Sequence, residues 1–325
     1  MKERDATFDI MKGIGILLVM TCHFFGWDHP VLSQVILSFH MPLFFFVAGY
    51  FSKAYVDRPT SWSNIKHFFK RLVPPMVVTQ LAIVAWAVLM ALVKHDGWNP
   101  VIRESLSLLW ADVDGPMTPW GKLTLGVIWF LLALFVAKSV LIPLSRLKQW
   151  AIPVSLVLAY GTLLLHSVFP YSIWCISLGL TALPFIAIGW WIRSHPFPFW
   201  LNLLTVACWI VAICFSRLEM YTFTWLCYPL DVLGAYGGTY CVYWVSRWIG
   251  KNLKHLSKVF AYLGLISLSI MCVHCFEIAS HLGNRSITRV GNDFPDWVLF
   301  AWRYALTLGL AIALVHIPKI KKLFV

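Results

Sequence analysis

Long apolar runs separated by short polar and basic segments dominate the chain. About ten of these runs approach the ~20 apolar residues that a helix needs to cross a ~30 Å hydrocarbon core. The pattern therefore predicts an all-α, polytopic membrane helix bundle, organised as one integral domain over residues 1–325. The predicted spans are 10–27, 33–52, 72–93, 123–143, 150–169, 172–192, 199–216, 224–247, 259–279 and 297–317.

The composition excludes a soluble domain. Hydrophobic residues make up 60% of the chain and charged residues 12%, with a mean hydropathy of +0.75, whereas soluble domains have roughly a quarter charged residues. Asp5 and Asp9 lie just before the first span and no small-residue cleavage site follows it, so we expect a retained helix rather than a signal peptide.

The distribution of charge predicts the orientation. If the N-terminus lies in the cytoplasm, most of the 26 Lys and Arg residues fall on inner segments such as 53–71 and 247–258. This positive-inside bias favours cytoplasmic positions for both termini. The net charge of +12 therefore indicates topology and contact with anionic lipid, not nucleic-acid binding.

Titratable side chains inside the predicted spans are candidates for function, because a polar group in hydrocarbon is costly. Lys12 and His23 are eleven residues apart, which places them on one helix face with an axial separation of roughly 16 Å. The same rise per residue places His40 roughly 10 Å and His274 roughly 8 Å below the outer edge of the membrane.

Asp231 and Arg303 fall at a similar depth in their own spans. Five polar groups from five helices are therefore predicted to form one layer that faces a shared, water-accessible cavity. Two structural alternatives stay open at this point. Asp231 and Arg303 would form an ion pair, and His40 would bond a backbone carbonyl freed by Pro42.

Ordered motifs along the chain resemble those of the acyltransferase 3 family of integral membrane O-acyltransferases. The first helix carries a basic residue, ten others and then a histidine, with Lys12 where some branches have arginine. Ala48 occupies a position where serine is usual. The matching segments are Asp9–Val19 with His23, Phe39–Phe45 with Ala48–Tyr50, Trp129–Leu131, Leu183–Phe185 with Gly189, and Leu263–Ile270 with His274.

The resemblance implies acyl transfer from cytoplasmic acyl-CoA to a hydroxyl of a cell-surface polysaccharide or its lipid-linked precursor, in the bacterial inner membrane. The branch it resembles is the fucose 4-O-acetylase-like or surface-polysaccharide branch. Acetyl-CoA or another acyl-CoA is then a donor substrate, not a permanently bound cofactor. Lys12, Lys70 and Arg71 are expected to hold its phosphates, for which Lys and Arg are suitable partners.

The predicted layer would supply the chemistry. His23 is expected to be the general base or a transiently acylated nucleophile. His40 and Arg303 would orient His23 or stabilise the oxyanion, Asp231 would orient a histidine, and His274 belongs to the same site. Direct transfer and an acyl-histidine intermediate are not separated by the sequence. The acyl group, acetyl or succinyl, and the acceptor sugar also stay open.

Two other functional classes remain. The intramembrane histidines would serve as a proton relay in a transporter or flippase, although the absence of an internal repeat argues against that class. Alternatively, His274, Glu277 and His281 have i, i+3 and i+7 spacing, which places three potential zinc ligands on one helix face. We expect no metal site.

Overall fold

The computed structural model of the chain describes residues 6–25, 29–52, 58–95, 97–113, 115–216, 218–225, 227–287 and 294–324. All eight predicted site residues lie within these ranges, whereas Asp5 and residues 53–57 of the predicted inner segment lie outside them. Apart from short 3-10 turns, one isolated bridge and a small hairpin, β1 (Met117–Thr118) and β2 (Gly121–Lys122), the regular structure is α-helical. The all-α prediction agrees with this architecture.

The helices are numbered in chain order. They are α1 (Thr7–Phe25), α2 (Pro30–Leu37), α3 (His40–Tyr50), α4 (Arg58–Lys94), α5 (Asn99–Trp110), α6 (Trp129–Ser145), α7 (Ala151–Val168), α8 (Ile176–Thr181), α9 (Leu183–Ile192), α10 (Phe199–Phe215), α11 (Tyr228–Asn252), α12 (Lys254–Leu265), α13 (Ser267–Ser280), α14 (Leu282–Ile287), α15 (Asp296–His316) and α16 (Pro318–Phe324).

Six helical segments in the described chain are long and apolar enough to cross a membrane. The number becomes seven if α12 and α13, which are bent by 68° at their junction, form one broken span. The other predicted spans are also helical, but 176–192 and α10 are shorter, and α11 has the length with a less apolar composition. The count of ten spans and the cytoplasmic termini therefore remain predictions.

The part of the predicted inner segment 53–71 that the structure describes is the beginning of a longer helix. Arg58–Lys94 is one continuous helix of 37 residues that joins the surface segment to the span. Ser61, Phe68 and Leu72 are buried at helical spacing while Lys70 and Arg71 are exposed, so the surface segment shares its buried face with the span. Pro74 and Pro75 lie inside the helix without ending it.

Two helix breaks occur near the predicted site. The second predicted span is divided between α2 and α3, and Pro42 lies in the first turn of α3, where a missing N–H is tolerated. The second break separates α12 from α13 at Ile266. Backbone groups released at such breaks need partners inside the protein, because the hydrocarbon offers none.

Glycine pairs allow two helix–helix contacts that hold the site. A Cβ on Gly13 would overlap the carbonyl of Phe260, and one on Gly264 would overlap that of Asp9, so α1 and α12 are in backbone contact. Gly49 and Gly189 have the same relation across α3 and α9. Small residues are the usual means of close helix packing in membranes, and here they fix α1 and α3 within the bundle.

Candidate active site

Two of the predicted histidines are neighbours. His23 lies in the last turn of α1 and His274 in the middle of α13, and their ring centroids are 5.4 Å apart. His23 is exposed, whereas His274 is completely buried. Within this pair, His23 is therefore the more accessible histidine.

His274 has an unusual environment. Neither Nδ1 nor Nε2 has a hydrogen-bond partner within the described part of the chain. The ring packs edge-on against Phe24, with centroids 5.1 Å apart. Leaving a buried polar group unsatisfied costs about 1–3 kcal/mol, so a histidine kept in this position needs an explanation other than its contribution to stability.

His40 is buried in the first turn of α3, where its Nδ1 lies 2.9 Å from the carbonyl oxygen of Ile36. His40 therefore does bond a backbone carbonyl, but this is the carbonyl of Ile36 at the break between α2 and α3 and not that of Ser38, which Pro42 leaves without an N–H donor. Because a carbonyl oxygen only accepts, Nδ1 carries the proton, and Nε2 is the basic nitrogen of neutral His40. His40 is also within electrostatic range of His23. We call His23, His40 and His274 the histidine cluster.

Arg303 is held beside this cluster by a carboxylate that the sequence analysis did not assign to it. Its Nε and Nη2 donate to Glu277 Oε1 and Oε2 at 2.8 and 2.9 Å, a bidentate pair between α15 and α13. The guanidinium carbon lies 4.0 Å from the centroid of the Phe24 ring. Arg303 therefore brings a fixed positive charge within electrostatic range of His23 and His274.

Asp231 has a different environment from the one predicted. Its Oδ1 accepts a 2.6 Å hydrogen bond from Ser216, and its Oδ2 accepts the backbone N–H of Cys227 at 3.3 Å. These contacts satisfy groups at the start of α11 and fix the preceding loop. Within the described residues the carboxylate bonds neither a histidine nor Arg303, so the predicted Asp231–Arg303 ion pair is wrong.

A cavity of about 630 Å³ lies between α1, α3, α4, α6 and the α12–α13 junction. Its wall contains three strongly basic side chains, and no carboxylate lines it within the described ranges. We call this space the cationic cavity. Its polar lining residues are Lys12, Ser52, Asn64, His67, Arg71, Lys138 and Ser267.

The predicted phosphate-binding residues divide into two groups. Lys12 and Arg71 line the cationic cavity, with Lys12 Nζ also 2.8 Å from Asp9 Oδ1. Lys70 is exposed on the neighbouring surface of α4 and is not part of the lining. Three cations in a wall without a described carboxylate fit a polyanionic ligand such as the phosphates of a nucleotide cofactor.

The cationic cavity extends along helix faces that carry the histidine cluster. Three of its lining residues are Ile16, Phe44 and Met271. His23 follows Ile16 by seven residues, His40 precedes Phe44 by four, and His274 follows Met271 by three. Each of these spacings keeps the two residues on one face of a helix. The cluster thus lies one to two turns beyond the apolar end of the cavity.

A family whose description is an acyltransferase domain matches residues 5–316. The chain belongs to the acyltransferase 3 family. The resemblance in the sequence motifs is thereby confirmed at the level of the family, while the particular polysaccharide branch remains a prediction.

Two relatives of this family member are both called nodulation protein NolL. The one from Mesorhizobium japonicum is 27% identical over 203 residues, which is 58% of this chain and 50% of the relative. The one from Sinorhizobium fredii is 24% identical over 233 residues, or 66% of this chain and 57% of the relative. The chain thus spans between 50% and 57% of the length of these relatives. No solved structure matches it.

Sequence reasoning overlooked two residues of this acyltransferase-family site. Glu277 was considered only as a metal ligand, although a carboxylate three residues from His274 in an apolar helix signals a role within the same site. Lys138 was not among the predicted site residues, although it lies inside α6 and lines the cationic cavity. Its signal was a lone lysine within an otherwise apolar segment.

The predicted metal alternative receives no geometric support. Among the described residues, no group of three histidine, cysteine or acidic side chains is arranged to hold a metal ion. Glu277 bonds Arg303 instead, and His281 is exposed at the C-terminal end of α13.

Proposed function

We propose that this protein is a bacterial inner-membrane O-acyltransferase. It transfers an acyl group, acetyl in the simplest case, from cytoplasmic acyl-CoA to a hydroxyl of a surface polysaccharide or its lipid-linked precursor. The single observation that carries the proposal is the alignment of the cationic cavity with the histidine cluster along shared helix faces. Family membership supports the reaction type.

In the proposed arrangement the phosphates of the donor bind Lys12 and Arg71 at the end of the bundle predicted to be cytoplasmic. The apolar upper wall, which includes Phe44, Phe130 and Met271, surrounds the pantetheine arm. An extended arm has a length comparable to the separation of Lys12 and His23. The thioester therefore reaches the histidine cluster while the nucleotide stays near the basic end.

The proposed reaction begins at the acceptor hydroxyl. His23 accepts the hydroxyl proton as the oxygen attacks the thioester carbonyl, which forms a new C–O bond. The C–S bond then breaks, and the CoA thiolate takes a proton from the histidine. His23 is assigned this role because it is the exposed member of the cluster. Attack by His23 itself, through an acyl-histidine, uses the same geometry and leads to the same ester.

The neighbouring groups stabilise the charges that develop. Arg303, fixed by Glu277, provides a positive potential that favours the oxyanion at the thioester carbonyl. Nε2 of His40 is the nitrogen left to accept a proton, because its Nδ1 is bonded to the carbonyl of Ile36. His274 lies beside His23 and provides a second nitrogen base. Neither of its ring nitrogens is hydrogen-bonded to another group within the described chain.

The proposal is tested by measuring ester-linked acyl groups on surface glycan in a strain that lacks the gene. Complementation with the wild-type gene is expected to restore acylation, whereas His23→Ala is expected to lower it about 10²- to 10⁴-fold, the usual contribution of a general base. His255→Ala removes an exposed histidine from α12 and provides the matched control. Immunoblotting of membranes verifies equal insertion.

Two results would contradict the proposal. Full acylation by stably inserted His23→Ala would remove His23 from the reaction. Loss of glycan export in the deletion strain, with normal acylation of the material retained inside, would favour the transporter class instead.

A further inference from the structure

We propose that Lys138 binds the pyrophosphate of the acyl donor, together with Lys12 and Arg71, and thereby sets the depth at which the donor enters. The inference rests on the proposed function and adds a residue and a specific ligand group to it. Lys138 Nζ lies in the wall of the cationic cavity, where it contacts Ser52 Oγ at 3.2 Å and the Phe68 ring centroid at 4.6 Å.

Counts along separate helices place the cations at one depth below the histidine cluster. Cys275, the residue after His274, contacts the Leu125–Ile128 backbone that precedes α6, with Sγ 3.7 Å from the Leu125 oxygen. Lys138 follows Ile128 by ten residues, an axial distance of about 15 Å. Lys12 precedes His23 by eleven residues, which gives about 16 Å on α1.

A third count agrees with the first two. Ser52 follows His40 by twelve residues along and just beyond α3, or about 18 Å, and Ser52 is the hydrogen-bond partner of Lys138. Arg71 lies near the same level, because it follows Phe68, the ring that Lys138 contacts, by three residues, or about 4.5 Å along α4. The three cations therefore surround the cavity at a common distance from the reacting centre.

The charge of Lys138 is not balanced by the protein. Across the residues that the structure describes, its ammonium group forms no ion pair, and its one hydrogen bond goes to a neutral hydroxyl. It is half-buried beside the like charge of Arg71. A cation within a membrane helix is expensive unless it has a partner or lines a watery path, so this arrangement is complementary to an anion that enters the cavity.

The chemistry of the donor identifies that anion as the pyrophosphate. In acyl-CoA the pyrophosphate is the anionic group separated from the thioester by one pantetheine arm, and the cation level lies about that length from the histidine cluster. The 3′-phosphate is attached beyond it, on the ribose, and therefore lies nearer the entrance. Three cations also suit a group with two adjacent phosphates better than a single phosphate.

Binding of CoA fragments to the purified, reconstituted protein tests the inference. The probes are CoA, dephospho-CoA, which keeps the pyrophosphate and lacks the 3′-phosphate, and pantetheine, which lacks both. Lys138→Met is expected to lower the affinities for CoA and for dephospho-CoA by a similar factor of about 10- to 100-fold, because a hydrogen bond to a charged group is lost. Pantetheine binding is expected to change less than about threefold.

Matched variants separate a specific contact from general charge or misfolding. Lys251→Met removes an exposed lysine from the end of α11 and is expected to leave all three affinities unchanged. Lys138→Arg keeps the charge and is expected to retain dephospho-CoA affinity within about tenfold.

The outcomes separate the inference from the proposed function. If Lys138→Met binds dephospho-CoA with wild-type affinity, or loses as much affinity for pantetheine as for dephospho-CoA, the proposed role of Lys138 is overturned. Neither result would contradict the proposed donor site. If Lys138→Met loses affinity for CoA but not for dephospho-CoA, Lys138 binds the 3′-phosphate, and the pyrophosphate assignment is overturned. Failure of the wild-type protein to bind CoA at all would contradict the proposed function itself.

Discussion

The three histidines of the cluster are held by different forces. His40 bonds the Ile36 carbonyl at a helix break. His274 has no hydrogen bond within the described chain and is surrounded by aromatic rings. His23 is exposed at the end of α1. A histidine that supports the fold and one that serves the reaction should therefore respond differently to the same replacement.

Leucine in place of His274 removes no hydrogen bond and takes two unsatisfied nitrogens out of a buried site. We expect His274→Leu to leave the thermal unfolding midpoint of the detergent-solubilised protein unchanged or higher, while transfer activity falls at least about tenfold. His40→Leu is the matched comparison. It removes the hydrogen bond to the Ile36 carbonyl, which keeps the N–H of Phe39 at 3.3 Å, so stability is expected to fall by about 0.5–1.5 kcal/mol.

The opposite pattern would contradict this account of His274. If His274→Leu lowers the unfolding midpoint and retains full activity, the residue is a packing histidine and the cluster contains only His23 and His40.

Side-chain partners were predictable only where helix spacing alone decides them. The depth count brought His23 and His274 to one level, and their rings are adjacent. It did not show whether Asp231 or Glu277 is the partner of Arg303. That choice depends on how α13 and α15 are rotated about their axes, which brings Glu277 to Arg303. It also depends on the local hydrogen bonds of Asp231 to Ser216 and Cys227. Neither of these two effects can be seen in the hydrophobic periodicity of the sequence.

At the scale of elements, backbone contacts between helices hold α1 and α3 beside the cavity. Both helices carry site residues along one face, so a shift of either one would change the distance between cation and histidine. The glycines at these contacts have no room for a side chain. Alanine at these glycines is therefore expected to destabilise the protein, whereas helix propensity alone would predict that it stabilises it.

Alanine is a better helix former than glycine by about 1 kcal/mol. Even so, we expect Gly13→Ala and Gly49→Ala to destabilise the protein by about 1–3 kcal/mol, because the new methyl groups overlap the carbonyls of Phe260 and Ile186. Gly161→Ala in α7 meets no atom within 4 Å and is expected to be neutral or stabilising. Thermal unfolding of the four proteins in one detergent makes the comparison.

Equal stability of Gly13→Ala and Gly161→Ala would show that the contact between α1 and α12 is looser than the structure has it.

Helices were more predictable than their ends and breaks. Apolar run length places a helix in each predicted span, but it does not mark where α12 turns into α13 at Ile266 or where α2 ends before His40. The continuous α4 was also missed, because the basic residues Lys70 and Arg71 suggest a loop boundary. In the structure they are the exposed side of a helix whose other side is buried.

At the scale of the whole molecule, positive charge and titratable bases occupy different levels of one bundle. Lys12, Arg71 and Lys138 line one end of the cationic cavity, and the histidine cluster follows its other end. The positive-inside pattern predicts that the basic end faces the cytoplasm. The proposed reaction therefore has a direction across the membrane, with donor and acceptor on opposite sides.

The most direct test of the account uses radiolabelled acetyl-CoA with sealed membrane vesicles of known orientation that contain the acceptor glycan. Inside-out vesicles expose the predicted cytoplasmic face, and they are expected to incorporate label into glycan on the lumenal side, with His23→Ala about 10²-fold or more below wild type. Right-side-out vesicles are expected to incorporate label only after permeabilisation. Equal incorporation by intact vesicles of both orientations, or unchanged incorporation by His23→Ala, would contradict the account.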